Sequence, residues 1–358
     1  MRVVIIAPPW VPVPPPAYGG TEAVLDALAR GLQAAGDDVL LVATGDSTCP
    51  VPTASTFARA VGVGTAGVPA EIAHALYGYA EAARFGADIV HDHTLVGPLY
   101  AAQRARVPVV TTNHGPFAGD LEPLYRAIGG RVPIIAISRD QASRAGNIPI
   151  AATIHHGVPI ADYPVGDGAG DFAVFLGRMH PDKGVERACE IAMKADVRLL
   201  VAAKMSEPAE RAYFHERVEP LLGDVVEYVG EVDAQQKVEL LGAARCLLNP
   251  ITWHEPFGMV MIEALACGTP VVARAMGAAP EIVIDGVTGA VGVDDDDLAA
   301  ALKDVDSFSR DRCRQDVESR FSAERMVAAH RQLYERVLGG VTHVATKILR
   351  PSLSSAAN

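Results

Sequence analysis

This sequence of 358 residues lacks the marks of several protein classes. It has no block of basic residues, and its formal net charge of −12 argues against nucleic acid or an anionic membrane surface as the main partner. No apolar run approaches the roughly 20 residues that a transmembrane helix needs. The five cysteines are scattered and form no C-x-x-C motif, which favours reduced thiols in a cytoplasmic protein. We therefore expect a cytoplasmic location with no more than peripheral membrane contact.

Recognisable cofactor and metal motifs are also missing. There is no G-x-G-x-x-G fingerprint and no P-loop G-K-[ST]. His91, Asp92 and His93 follow a predicted strand, but no third or fourth ligand is spaced to complete a metal site with them. We interpret this triplet as a structural or acceptor-side feature. The sequence thus predicts neither a metal nor a resident cofactor.

What the chain does contain is a regular alternation of strand and helix patterns. Continuous apolar runs such as residues 3–7 are typical of parallel strands that are covered on both faces. Residues 159–171 are rich in Pro, Gly and Asp and separate two such α/β halves. We therefore expect an N-terminal domain at residues 1–160 and a C-terminal domain at residues 161–322. A last helix at 323–338 would return to the first half, and residues 339–358 would form a disordered tail.

Polar residues accumulate directly after the predicted strands, where an open α/β sheet has its ligand crevice. Gly19 and Gly20 precede the first helix and permit close approach of a ligand to its N-terminus, although a plain tight turn is the alternative. His114 follows another strand in a glycine-containing loop and is a candidate site residue. A half-buried structural histidine is the alternative there.

The most informative stretch is WHEPFGMVMIEALACGTPVV, residues 253–272. The backbone amides of Gly258, Met259 and Val260 begin an apolar helix and are free to bind an anion. Glu255 precedes this helix and Glu263 lies inside it, where an unpartnered carboxylate is costly to bury. A phosphate attached to a polyhydroxyl group would satisfy all these groups. The alternative is a capping glutamate and a second glutamate bonded to the fold.

Two basic residues, Arg178 and Lys183, lie in the loop after the first strand of the second half. At the same sheet edge as Gly258 they would place two positive charges beside the free amides. This is the charge stabilisation that a departing diphosphate needs when no metal is present. Each residue taken singly could equally be a solvated surface charge.

Three motifs together carry a family resemblance: F-L-G-R-x4-K-G at 175–184, E-P-F-G-x4-E-A at 255–264 and G-T-P-V-V-A at 268–273. The chain resembles the retaining glycosyltransferases of family 4, the glycosyl transferases group 1. The resemblance implies the GT-B fold, in which two Rossmann-like, doubly wound domains face each other across a cleft. The N-terminal domain would bind the acceptor and the C-terminal domain the nucleotide sugar.

The resemblance also implies roles for individual residues. Glu263 would bind the nucleotide ribose and Glu255 the hydroxyls of the donor sugar. Arg178 and Lys183 would hold the diphosphate, and Gly20 would contact it from the N-terminal domain, where Gly19 is a further substrate-binding candidate. The amides of Gly258, Met259 and Val260 would contact the donor sugar or the phosphate. His114 would lie near the reacting sugar and the acceptor, and the base contacts would fall near Gly230, Glu231 and Val232. The catalytic candidates among these are His114, Arg178, Lys183 and Glu255.

The predicted activity is a metal-independent, hexosyltransferase-type reaction (EC 2.4). It would move a sugar from a UDP- or GDP-linked donor to a hydroxyl of a glycan, lipid or small molecule, with retained anomeric configuration. A nucleotide-sugar 2-epimerase of GT-B architecture and a non-catalytic sugar-nucleotide-binding protein are the alternatives. One departure from the family pattern is Gly277-Ala278-Ala279, where a more glycine-rich stretch is usual.

Overall fold

The computed structural model describes residues 1–62 and 67–348, with side chains through residue 340. Two parallel α/β sheets, one in each half of the chain, dominate this part of the protein. No helix among the described residues is both long enough and apolar enough to cross a membrane.

The first half forms a seven-stranded sheet with helices on both of its faces. Its strands are Arg2–Ile6 (β1), Asp38–Val42 (β2), Thr53–Ala54 (β3), Ile89–Asp92 (β4), Val109–Thr112 (β5), Ile134–Ala136 (β6) and Ile150–Thr153 (β7). The spatial order is β3-β2-β1-β4-β5-β6-β7, with every pairing parallel. Its helices are Gly20–Ala34 (α1), Gly67–Phe85 (α2), Gly97–Arg104 (α3), Leu121–Ile128 (α4) and Arg139–Ser143 (α5).

The second half repeats this arrangement with six strands. They are Phe172–Arg178 (β8), Arg198–Lys204 (β9), Val226–Gly230 (β10), Cys246–Asn249 (β11), Val271–Arg274 (β12) and Gly289–Gly292 (β13), in the order β10-β9-β8-β11-β12-β13. The helices are Val185–Ala195 (α6), Pro208–Tyr213 (α7), Ala234–Ala243 (α8), Met259–Ala266 (α9), Ala279–Ile282 (α10), Asp295–Lys303 (α11), Arg310–Arg320 (α12) and Ala323–Ile348 (α13).

Both sheets are doubly wound, as the continuous apolar runs predicted. Val3 and Ile5 of β1 pack into the core beneath α1 and α13, whereas Val4 and Ile6 point into a separate core on the opposite face. Successive side chains of a strand alternate between faces, so a strand covered on both sides must be apolar throughout. The predicted class of two Rossmann-like sheets is confirmed.

The strand orders determine where a ligand crevice lies. In the first sheet β1 stands between β2 and β4, and in the second β8 stands between β9 and β11. In the first sheet the chain passes from β1 to β2 on one side and from β4 to β5 on the other. In the second sheet it likewise passes from β8 to β9 on one side and from β11 to β12 on the other. Open α/β sheets bind ligands at the carboxyl ends of the strands beside such a reversal. The loops after β1, β8 and β11 therefore meet at one place.

Helix α13 leaves the second half and lies against α1 of the first. Met326, Val327 and Leu333 are buried in the same core as the inner face of α1. A Cβ at Gly31 would stand 2.5 Å from Val327, so the absence of a side chain there allows the close approach of the two helices. The expected disordered tail begins at residue 339, whereas α13 continues to Ile348, because Gly339 and Gly340 weaken a helix by only about 1 kcal/mol each. Residues 349–358 lie outside the described part.

Candidate active site

A cavity of about 1060 Å³ lies between the two halves of the chain, where the loops that follow β1, β8 and β11 converge. It is lined by twelve of the residues that the sequence singles out: Gly19, Gly20, His114, Arg178, Lys183, Glu231, Val232, Glu255, Gly258, Met259, Val260 and Glu263. Gly230 does not line it and ends β10 with a positive φ of 88°. The structure thus brings the two halves of the predicted site to one cleft.

The start of α9 is set by the conformation of Gly258. This residue has φ 91° and ψ 68°, a left-handed conformation that favours glycine, and it directly precedes Met259. The first amides of a helix have no acceptor within that helix. At this N-terminus they lie at the wall of the cleft, with Met259 and Val260 only half-buried. The opposite wall is close, since a Cβ on Gly20 would stand 3.5 Å from the Met259 side chain.

Glu255 and Lys183 form an ion pair across the loops after β11 and β8. Glu255 Oε2 accepts hydrogen bonds from Lys183 Nζ and, at 2.8 Å, from the indole Nε1 of Trp253. Both charged side chains are 14% exposed, and Lys183 Nζ lies 5.6 Å from the centre of the Trp253 ring. Binding a diphosphate through Lys183 would therefore require this ion pair to be shared or exchanged.

Arg178 differs from Lys183 in having no protein partner. It ends β8, is half-buried and lines the cleft. Its guanidinium makes no hydrogen bond or ion pair with any residue in the described ranges. A half-buried guanidinium with five free donors is suited to a planar or tetrahedral oxyanion.

Glu263 is 6% exposed, and its carboxylate is satisfied within the fold. Oε1 accepts hydrogen bonds from the hydroxyl of Tyr163, at 3.0 Å, and from Lys237 Nζ. Burial raises the pKa of Tyr163 far above its usual value, so its hydroxyl remains a donor. The prediction that this glutamate needs partners is correct, although both partners escaped sequence reasoning. Lys237 lies in α8 and Tyr163 in the linker, and neither belongs to a motif that the sequence singles out.

Gly277 supports the loop that carries Glu255. It has φ 60°, and a Cβ there would stand 2.5 Å from both the backbone nitrogen and the carbonyl oxygen of Glu255. The amide of Ala278 donates to the carbonyl of Glu255 at 3.1 Å. The departure from the family pattern at 277–279 therefore keeps glycine at the one position where the backbones touch.

A row of five histidines runs from the interior of the first half to the cleft. Consecutive ring centres lie 5.2 Å apart for His330 and His91, 3.9 Å for His91 and His93, 5.1 Å for His93 and His114, and 5.2 Å for His114 and His156. Burial lowers the pKa of every member, to about 4 for His114 and for His330. All five imidazoles are therefore neutral at pH 7.

The His91-Asp92-His93 triplet belongs to the fold and not to a metal site. His91 bonds to the Tyr334 hydroxyl at 2.7 Å through Nδ1 and to Thr112 at 2.8 Å through Nε2. Asp92 accepts hydrogen bonds from the amide and hydroxyl of Thr94, both at 2.8 Å. No group of three potential metal ligands occurs among the residues that the structure describes.

The two halves also touch through Glu281 at the start of α10. Its carboxylate accepts hydrogen bonds from the amides of Arg139 and Asp140, at 2.9 and 2.6 Å, and lies 2.9 Å from His155 Nε2. Burial opposes ionisation, but the hydrogen bonds from His155 and these amides outweigh it and lower the pKa of Glu281 to about 2. The contact holds the first turn of α5 against the second half.

Family models match both halves of the chain. A model described as glycosyl transferases group 1 matches residues 167–324, and one described as glycosyltransferase family 4 matches residues 18–162. Together the two matches extend from the start of α1 to the start of α13, apart from residues 163–166.

Individual relatives agree with these models. A D-inositol 3-phosphate glycosyltransferase of Mycolicibacterium vanbaalenii is 30% identical over 303 residues, which is 70% of this chain and 67% of that one. A phosphatidyl-myo-inositol mannosyltransferase of Mycolicibacterium smegmatis is 32% identical over 241 residues, 60% of this chain and 61% of that relative, less than two thirds of its length. Among solved structures, the crystal structure of AviGT4, a glycosyltransferase involved in avilamycin A biosynthesis, matches with a TM-score of 0.72 and 26% sequence identity. The match covers 95% of this chain and 98% of that one.

Proposed function

Since the chain belongs to the group 1 glycosyltransferases of family 4, as its motifs predicted, we propose that it moves a sugar from a nucleotide diphosphate sugar to an acceptor hydroxyl. The anomeric configuration is retained, and the donor is UDP- or GDP-linked. The nucleotide sugar binds to the second half and the acceptor to the first. The five cysteines, all free and buried, support a reducing, cytoplasmic location.

The observation that carries this proposal is the convergence of cationic and hydrogen-bond donors on one wall of the cleft. Arg178, Lys183 and the free amides at the start of α9 face the same cavity. Negative charge grows on a diphosphate as its bond to the sugar breaks, and fixed donors at that place stabilise the transition state more than the ground state. The two cations thereby supply the positive charge that a divalent metal would otherwise supply.

Two carboxylates fit the hydroxyls on either side of the diphosphate. Glu263 is held rigidly by Tyr163 and Lys237, so its orientation is set before a ligand binds. In this proposal it accepts hydrogen bonds from the ribose, and Glu255 accepts them from the donor sugar. When the diphosphate takes up Lys183, Glu255 becomes free to bind those hydroxyls.

His114 lies on the facing wall and is neutral. Its Nε2 lies 2.9 Å from His93 Nδ1, so in this proposal its Nδ1 bonds to an acceptor hydroxyl and orients it without adding charge. In this proposal the departing phosphate oxygen takes the acceptor proton while the new glycosidic bond forms on the face that the phosphate leaves. In this proposal the two halves close around both substrates and exclude water, which would otherwise compete as an acceptor.

Nucleotide release and nucleotide binding test this proposal. The protein is incubated with UDP-, GDP- and ADP-sugars, with and without EDTA, and free nucleotide is measured. We expect slow release from one donor class, undiminished by EDTA, and a raised melting temperature with the matching nucleotide. An epimerised donor without release would instead identify an epimerase, and binding without any reaction would identify a non-catalytic protein.

Glu263→Gln is the variant that tests the site. We expect it to weaken nucleotide binding about tenfold, because it replaces a charged acceptor by a neutral one. Glu219→Gln, at an exposed glutamate that pairs with His215, is the matched control. Equal nucleotide affinity in both variants would remove Glu263 from the site.

A further inference from the structure

The wall of the cleft that residues 10–162 contribute has almost no positive charge. Its ionisable carboxyl and guanidinium groups belong to Glu22, Asp26, Arg30 and Asp162, and burial raises the pKa of Glu22 to about 7. Arg30 is the only lysine or arginine on this wall among the described residues, and it lies between two carboxylates. Its Nε is 2.8 Å from Asp26 Oδ2, and one terminal nitrogen is 3.5 Å from Asp162 Oδ2. No cation on this wall is left to bind an anionic ligand.

The imidazoles on the same wall add no charge. Burial lowers the pKa of His114 to about 4 and that of His156 well below its usual value, so neither is protonated at pH 7. A phosphate group against this wall would meet neutral rings, the carboxylate of Asp26 and the carboxyl group of Glu22, whose pKa burial raises to about 7. Burying an unpaired charge is strongly unfavourable, and like charges at short range add to the penalty.

His156 has an unsatisfied polar group at the cleft. The residue is 4% exposed, and its Nδ1 is buried without a hydrogen-bond partner among the described residues. Its ring stacks on His114 and packs edge-on against Phe257, at centroid distances of 5.2 and 5.1 Å. Buried polar side chains of folded proteins almost always have a partner, so this one points to a ligand.

The remaining surface of this wall is apolar and aromatic. Trp10, Val11 and Ile137 line the cavity together with the two histidines. Apolar side chains with a few neutral hydrogen-bond donors and acceptors can bind a polyhydroxylated ring, since such a ring has C–H groups on its faces and hydroxyl groups at its edge. They do not suit a phosphorylated ring.

On the basis of the proposed transfer reaction, we infer that the acceptor is a phosphate-free polyhydroxyl compound, a sugar or cyclitol, and that His156 binds one of its hydroxyls beside His114. This departs from the relatives, whose names specify D-inositol 3-phosphate and phosphatidyl-myo-inositol. His156 is a specificity residue in this inference, and the paired Arg30 leaves the described residues of this wall without a free side-chain cation for a phosphate on the acceptor.

Matched acceptor pairs test the inference with the wild-type protein. Once the donor is known, the rate of nucleotide release from it is measured in the presence of each candidate acceptor. The phosphate-free and phosphorylated compounds are compared in pairs: myo-inositol with myo-inositol 3-phosphate, glucose with glucose 6-phosphate, and mannose with mannose 6-phosphate. Phosphatidylinositol vesicles are tested as well. We expect a phosphate-free compound to accelerate release at least tenfold more than its phosphorylated partner. Equal or better acceleration by a phosphorylated compound or by the vesicles would overturn the inference, and so would the absence of acceleration by every phosphate-free compound.

The donor-only reaction separates this outcome from failure of the proposed function. If no nucleotide is released or bound without an acceptor, the transfer reaction itself is refuted. If nucleotide is released but the phosphate-free compounds are ineffective, only the acceptor assignment is refuted.

Variants at His156 test its role. His156→Leu removes both ring nitrogens, and we expect the acceptor KM to rise about tenfold, whereas His156→Asn keeps a polar atom near the Nδ1 position and restores most of the affinity. His215→Leu, at an exposed histidine outside the cleft, is the control. The nucleotide-induced rise in melting temperature verifies folding of each variant. An acceptor KM that both His156 variants leave unchanged would exclude the residue.

Discussion

Replacing His330 with leucine tests whether the histidine row is buried in its neutral form. His330 is 3% exposed, lies on α13, and packs its ring 5.2 Å from that of His91. Its Nδ1 lies 2.8 Å from the carbonyl oxygen of Met326 in the preceding turn, a group that the helix backbone can satisfy without it. Leucine is close to histidine in size and cannot bind a proton, so the substitution removes the titration while keeping most of the packing.

The magnitude follows from the pKa. Burial lowers the pKa of His330 from 6.5 to about 4. The unfolded chain therefore binds this proton first, and folding stability falls as the pH drops below 6.5 until it approaches 4. Between pH 6.5 and pH 5 the pH falls by about 1.5 units, and each unit lowers the free energy of unfolding by about 1.36 kcal/mol. The wild type should lose about 2 kcal/mol more than His330→Leu between pH 7 and pH 5.

Urea unfolding at pH 7.0 and pH 5.0, followed by circular dichroism, measures this difference. Any constant packing cost of the leucine cancels, because only the change with pH is compared between the two proteins. His215→Leu is the control, since His215 is an exposed histidine far from the row. Equal losses of stability in wild type and His330→Leu would refute the neutral, buried state of this histidine.

Three further predictions concern the cleft. Lys183→Ala should weaken nucleotide diphosphate binding by calorimetry about 10- to 100-fold, since a charge-assisted hydrogen bond contributes about 1.5 to 3 kcal/mol; an effect no larger than that of Lys194→Ala, at an exposed ion pair, would contradict this. Gly277→Ala should lower the free energy of unfolding by about 1 to 3 kcal/mol, because an alanine in this left-handed conformation would place its Cβ against the Glu255 backbone. Unchanged stability and nucleotide affinity would show that the loop rearranges to accommodate the Cβ. The transfer rate of folded protein should be flat from pH 8 to pH 5.5, because the pKa of His114 is about 4; a tenfold fall by pH 5.5, where an ordinary imidazole is about 90% protonated, would argue for an unperturbed His114.

The elements that carry the site were largely predictable from local pattern. The apolar run after Gly258 predicts the helix 259–266, and α9 has these bounds because a left-handed glycine begins it and Gly268 follows its end. The sequence places the start of a disordered tail at residue 339, and the structure describes α13 as far as Ile348.

Partners distant in the chain were not predictable. Lys183 and Glu255 are 72 residues apart, and Tyr163 and Glu263 are 100 apart, yet each pair is joined by a hydrogen bond. No periodicity relates such positions, because their contact depends on which strands are neighbours in the sheet. His156 had no sequence signal beyond its place after a strand.

The amino-acid sequence alone determined the two parallel α/β halves, the family and the loops that carry charge, because alternation, glycine positions and local motifs act over a few residues. Only the tertiary structure decided which charges are free. Among the described residues Arg178 has no side-chain partner. Lys183 is held by the distant Glu255, and Arg30 by the distant Asp162 as well as by Asp26 of its own helix. The strength of a charge towards a ligand depends on its burial and its neighbours, and both are properties of the folded chain.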